Sequence, residues 1–229
     1  MIKHMVTSAV FAGFAVGLLV ALLQWCFVEQ DILLAEDYES GVKVHFQGLA
    51  DPVVVGAHEM AMAEAEISPL ARHAMTVLFA AVIYVGYALL MVAAYAVAGQ
   101  LGHPVTIQAG LLWGLAGFAV FQMAPAMGLP PELPGTPGAD LDARQWWWLG
   151  TAVMTAAGLA VLAFGRGGVR LASVGLLAVP HIVGAPQLAT FAGVVPPELA
   201  GAFATRTLGI GLVGWVVLGG VSAWLWKSD

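Results

Sequence analysis

Six apolar stretches leave this chain little choice of environment. They lie near residues 5–28, 70–98, 106–124, 146–164, 168–184 and 203–226. Most reach the roughly 20 residues that a helix needs to cross the hydrocarbon of a bilayer. A backbone in lipid must satisfy its own hydrogen bonds, so such stretches form helices rather than open strands. Only 10% of the residues are charged, against about 25% in an ordinary soluble domain, so lipid has to cover much of the surface. The 28 glycines and 8 tryptophans suit close helix approach and anchoring at the membrane interface. The expected fold is an all-α integral membrane protein, one transmembrane domain over 1–229. It is a bundle of about six helices with hairpin repeats. The count falls to five if the fifth stretch, interrupted by Pro180 and Pro186, tilts or re-enters instead of crossing.

The remaining composition excludes several classes. A net charge of −6 lacks the basic footprint of a nucleic-acid binder. The single Cys26 permits neither an internal disulfide nor a CxxC redox or metal motif. Lys3 precedes a long apolar run with no small-residue cleavage site, and Trp25 is too bulky to precede a lipoprotein cysteine. A retained first helix is therefore expected rather than a cleaved signal.

The connections are unequal. Residues 29–69 form one large segment with nine of the fourteen acids, together with His45 and His58. Ser68-Pro69 then opens the second long helix, as a capping serine followed by proline at the first helical position. Lys and Arg placement divides four against four in a six-span arrangement and does not orient the chain by itself. The acid-free turn with Arg166 and Arg170 favours the N- and C-termini inside and the acidic 29–69 loop outside the cytoplasm. Pro-Pro-Glu-Leu occurs at 130–133 and 196–199, each time after an Ala-Pro and before an arginine, Arg144 or Arg206. Helical hairpins in parallel orientation follow from that repeat, unless Pro-Pro-Glu-Leu is only a good loop-to-helix start.

Candidate ligands fall in two places. His58-Glu59 with Glu64, Glu66 and His73 combines imidazole and carboxylate, a set suited to a borderline divalent ion such as Co²⁺, Ni²⁺ or Zn²⁺. The spacing is not HExxH, so a zinc protease is excluded; the competing reading is a solvated acidic helix. His181 stands between Pro180 and Pro186, and an ionisable residue at membrane depth marks a pathway or a buried partner. Gln122, just before Ala124-Pro125, is its counterpart in the repeat, and Gln24 toward the end of helix one joins them as pathway residues. A neutral histidine bonded to a neighbouring helix is the alternative. Arg144 before Trp146-Trp147-Trp148 reads as an interfacial anchor. No catalytic constellation is present, so no enzyme activity and no tightly bound cofactor are expected.

Several of these segments resemble one family. They are Leu112-Trp113-Gly114-Leu115-Ala116-Gly117-Phe118, Ala124 through Gly135, Ala143-Arg144-Gln145-Trp146-Trp147-Trp148, Pro180-His181-Ile182-Val183-Gly184-Ala185-Pro186-Gln187 and the closing Trp224-Leu225-Trp226. Together they resemble CbtA, the cobalt transporter subunit of bacteria. The resemblance runs over nearly the whole chain. It implies a membrane subunit for cobalt uptake, linked to cobalamin supply, in the bacterial inner membrane. It also implies a small single-span partner, CbtB, with a histidine-rich end, and usually five spans rather than six. The expected activity is passage of a divalent metal, Co²⁺ first, captured by the acidic loop and passed to His181, Gln122 and Gln24. The lipid bilayer is the expected surrounding, and self-association into a homo-oligomer is left open. The rivals are a non-conducting metal-binding or assembly subunit and, further off, a membrane enzyme or haem subunit.

Overall fold

A computed structural model describes residues 2–45, 68–189 and 193–226. The described residues form seven helices and no strand. α1 is Ile2–Phe27, α2 Glu29–Glu39 and α3 Pro69–Gln100. α4, Ile107–Phe118, continues through a wider π turn, Ala119–Met123, into a last turn, Ala124–Ala126. α5 is Leu141–Phe164, and α6, Ala172–Val183, follows a 3₁₀ turn at Gly167–Leu171. α7 is Pro197–Trp226. Five of these are long and apolar enough to cross a membrane, and Gly167–Val183 is a shorter apolar helix. That shorter segment is the one whose path the sequence left open.

The helix ends follow from local chemistry. Ser68 Oγ accepts from Ala71 N–H at 3.3 Å, with Pro69 opening α3. Thr106 and Asp140 do the same for α4 and α5, accepting from Ala109 N–H at 3.1 Å and Ala143 N–H at 2.9 Å. α5 and α7 begin earlier, at 141 and 197, than the apolar stretches from 146 and 203. A capped or proline-led first turn is helical whether or not it lies in lipid. The 29–69 segment is not simply a loop, because its first part is α2. Gly184, at φ 83°, ends α6 in a conformation that a side chain would resist.

Packing is governed by small residues. α1 lies against α3, and α4 against α7. Gly13 and Gly17 of α1 abut the backbone of Ala80, Ala81, Tyr84 and Val85 on α3. Gly110 and Gly114 of α4 meet the backbone of Trp215 and Gly219 on α7. Both glycine pairs have four-residue spacing, which presents one bare stripe per helix and lets backbones touch where no hydrophobic force separates helix from lipid. α7 is central, contacting α1, α3 and α4, with Trp215, Leu218, Ser222 and Ala223 buried. Tyr95 Oη donates to Gly219 C=O at 2.9 Å across this interface.

α5 and α6 form a separate antiparallel pair, with Leu177 over Gly158 and Trp147 Nε1 donating to Pro180 C=O at 3.2 Å. The arms flanking each Pro-Pro-Glu-Leu therefore find their main partners elsewhere: α4 on α7 and α5 on α6. Both Pro-Pro-Glu-Leu turns nonetheless lie at the same end of the bundle as α2. Val194 and Glu39 meet there at Gly135, and Leu133 and Val195 are buried.

Candidate functional site

Charge is segregated along the bundle axis. Every Asp and Glu among the described residues lies at the end that carries α2. The opposite end holds Lys3, Arg166 and Arg170 with no carboxylate among the described residues. The four cations at the acidic end are all paired. Lys43 meets Asp37 at 2.9 Å, Arg72 meets Glu36 at 2.6 Å, and Arg144 meets Glu132 at 2.5 Å. Arg206 Nη1 reaches both oxygens of Asp31, at 2.5 and 2.6 Å. Two of these pairs tie α2 down, Glu36 to α3 and Asp31 to α7. Arg144, expected as an interfacial anchor, also grips the Pro-Pro-Glu-Leu glutamate.

Asp31 is buried and Arg206 is half exposed. In Arg206→Gln that carboxylate loses its counter-charge, at a cost we expect to be about 1–3 kcal/mol once screening at the exposed partner is allowed for. The thermal midpoint of the purified chain should fall accordingly, and adding Asp31→Asn should restore part of it. A double variant no more stable than Arg206→Gln alone would remove the pair from the account.

A cavity of about 690 Å³ opens between α1, α2, α3, the π turn and α7. Glu36 and Arg72 line it at the acidic end, and Gln24, Thr76, Tyr84, Gln122 and Thr207 line it further along. About 22 Å of helix rise separates Arg72 from Tyr87, the lining residue furthest along α3 from that end. Gln24 and Gln122, singled out from sequence alone, thus line the same cavity. Pro125 has no N–H to return to the preceding turn, and the ladder there widens into the π turn that carries Gln122. Gly211 completes the arrangement, because a methyl group there would occupy the place of the Gln122 amide. Gln122 Oε1 and Thr207 Oγ1 are buried and meet no protein partner. Each such group costs about 1–3 kcal/mol while nothing satisfies it.

Aromatic rings separate this cavity from what lies below. Tyr87 packs on Trp215 at 4.5 Å and on Phe121 at 5.3 Å, while Phe121 and Trp215 stack with an interplanar angle of 1°. Beyond the rings is an apolar groove of about 460 Å³ between α3, α4, α5 and α7, which Tyr87 also lines. From Tyr87 to the end of α3 is another 20 Å or so of helix rise.

The other expected ligands are not gathered there. His58, Glu59, Glu64 and Glu66 lie outside the described residues. His73 stands on the outer side of α1 and α3, its Nδ1 3.3 Å from Glu29 Oε1 and its ring edge-on to Trp25. His181 lines no part of the cavity; it sits on α6 with its ring edge-on to Trp147 at 6.4 Å. Among the described residues no three His, Cys, Asp or Glu side chains converge as a metal cluster. Sequence reasoning missed Thr207, Tyr84 and Gly211. Thr207 carried a weak signal, one residue beyond a singled-out arginine.

Long apolar helices closing around a vestibule at one charged end define a polytopic α-helical membrane protein. The chain belongs to the CbtA family, described as a probable cobalt transporter subunit, whose family model matches residues 2–227. No curated protein and no solved structure matches the chain.

Proposed function

We propose that this chain is the membrane subunit through which Co²⁺ enters the cell across the bacterial inner membrane, captured at the acidic end and admitted to the Gln24–Gln122 cavity. The observation that carries the reading is that cavity, which Gln24, Tyr84, Gln122 and Thr207 line and which reaches Glu36 and Arg72 at the acidic end. Carboxylates concentrate cations locally and speed their arrival. His58, Glu59, Glu64, Glu66 and His73 are the proposed capture ligands. Cobalt uptake with and without this chain, in a host lacking other importers, tests the reading, and equal uptake would end it. Replacing His58, Glu59 and His73 together should raise the half-saturating concentration more than it lowers the maximal rate. An unchanged half-saturating concentration would return that segment to a solvated surface.

Orientation is part of the proposal. The cations at the acidic end are neutralised by partners, whereas Lys3, Arg166 and Arg170 meet no carboxylate among the described residues, so retention of positive charge inside favours the acidic end outside. A cysteine at Ser40, on a Cys26→Ser background, should label with an impermeant thiol reagent in intact spheroplasts. Labelling only after lysis would invert the arrangement.

The aromatic floor and the apolar groove beneath it favour one alternative, a metal-binding subunit that conducts only with a partner. That partner would be the small single-span CbtB-like subunit. Metal flux into proteoliposomes holding this chain alone separates the two readings.

A further inference from the structure

We infer that the apolar groove between α3, α4, α5 and α7 seats an acyl chain of an anionic phospholipid from the leaflet at the cationic end of the bundle. The groove owes its existence to α4 and α5 drawing apart. Toward the acidic end they are joined: α5 packs on the π turn and the last turn after α4, with the Phe121 and Trp148 rings 6.2 Å apart. Further along, the lining positions carry small side chains, Ala109 and Ala116 on α4 and Ala156, Ala160 and Ala163 on α5, and about 460 Å³ is left between the helices. Phe164, at the end of α5, comes within 6.3 Å of Trp113 and 5.0 Å of His103, ring to ring. The volume falls among those of small-molecule sites, roughly 300–1,000 Å³. Apolar walls give water no partners, so the occupant has to be apolar.

Length selects among apolar occupants. From Ala109 to Phe121, the two ends of the lining on α4, is about 18 Å of helix rise, close to half of the roughly 30 Å of hydrocarbon in a bilayer. A membrane-spanning helix of a partner or a second copy runs the whole thickness and is about 10–12 Å across, whereas this groove stops at the Phe121–Trp148 contact. An acyl chain occupies one leaflet and stops there too.

Charge selects the headgroup. Arg166 follows two residues after Phe164, and Arg170 is held beside them, its Nε donating to Gly165 C=O at 2.8 Å. No carboxylate shares that end among the described residues. Each basic side chain near the membrane surface favours an anionic lipid by about fivefold. The groove and the two arginines together therefore suit a phospholipid with one tail between the helices and its phosphate at the turn after α5.

The full chain, purified in detergent and washed free of loosely held lipid, is offered phosphatidylglycerol and phosphatidylcholine with the same acyl chains in equal amounts. Native mass spectrometry should show phosphatidylglycerol retained in preference. Ala160→Phe puts a ring into the groove and should cut that retention about tenfold. Ala163→Leu fills the same space with less bulk and serves if the first variant folds poorly. Arg166→Gln leaves the groove as it is and should lower the preference for phosphatidylglycerol about fivefold. Retention unaltered by both groove variants would overturn the inference, by placing the lipid on the general surface of the bundle. Equal retention of the two lipids by the wild-type chain would overturn it as well. So would a chain that keeps neither lipid because a second copy or a partner helix covers the groove, which the mass of the assembly reports. None of these measurements involves cobalt, so this inference and the uptake reading stand or fall separately.

Discussion

Gly114→Ala is expected to strip the membrane of most folded protein. A methyl group there would be driven into the backbone of Trp215 and Val216 on α7. Backbone cannot swing aside, so α4 must lift off the central helix. Overpacking of this kind costs about 1–3 kcal/mol, at times more, and here it falls on an interface held by close approach rather than by hydrophobic force. Gly219→Ala should behave alike, because its methyl would meet the Gly110 carbonyl. Gly209 lies on the same helix as Gly219 with open space around it, and Gly209→Ala should be neutral or stabilising by up to about 1 kcal/mol of helix propensity. Thermal midpoints of the three purified variants, read by size-exclusion chromatography after heating, make the comparison. Equal midpoints for Gly114→Ala and Gly209→Ala would show that the glycine stripe is not what seats α4.

Gly211→Ala is expected to do the reverse, sparing the fold and damaging uptake. The atoms that its methyl meets belong to the tip of the Gln122 side chain, which can rotate away at small cost. The amide would then leave its place against Gly211. We expect uptake per folded molecule to fall about tenfold, equivalent to about 1.4 kcal/mol, with membrane abundance close to normal. Gln122→Leu should match it. His181→Gln provides the contrast, since that ring packs against Trp147 and lines no part of the cavity; its uptake per folded molecule should stay within about twofold of wild type, roughly 0.4 kcal/mol. A large loss in His181→Gln with normal activity in Gly211→Ala would move the path to α6.

Much of the architecture was legible before any coordinates because lipid imposes a single rule on the backbone. Runs such as 70–98 and 203–226 had to become helices, and Ser68-Pro69 marked where one begins. Gln24 and Gln122 stood out for the same reason, as polar side chains in apolar runs, and the cavity brings them together. His181 stood out equally, yet its helix lies against α5. A polar residue in an apolar run shows that a partner is needed without showing where that partner is. Which helices touch was a different matter. Glycines at four-residue spacing say that a helix can be approached closely, and Gly13/Gly17 and Gly110/Gly114 look alike in sequence. Only the packed bundle assigns the first pair to α3 and the second to α7, because that choice depends on the fit of whole surfaces. The same holds for Arg206. Glu198 stands eight residues before it on the same helix, but the packed bundle pairs it with Asp31, 175 residues away. Lipid and helix chemistry act through near neighbours and can be read along the chain; the cavity, its unpartnered oxygens and its aromatic floor exist only where distant segments meet.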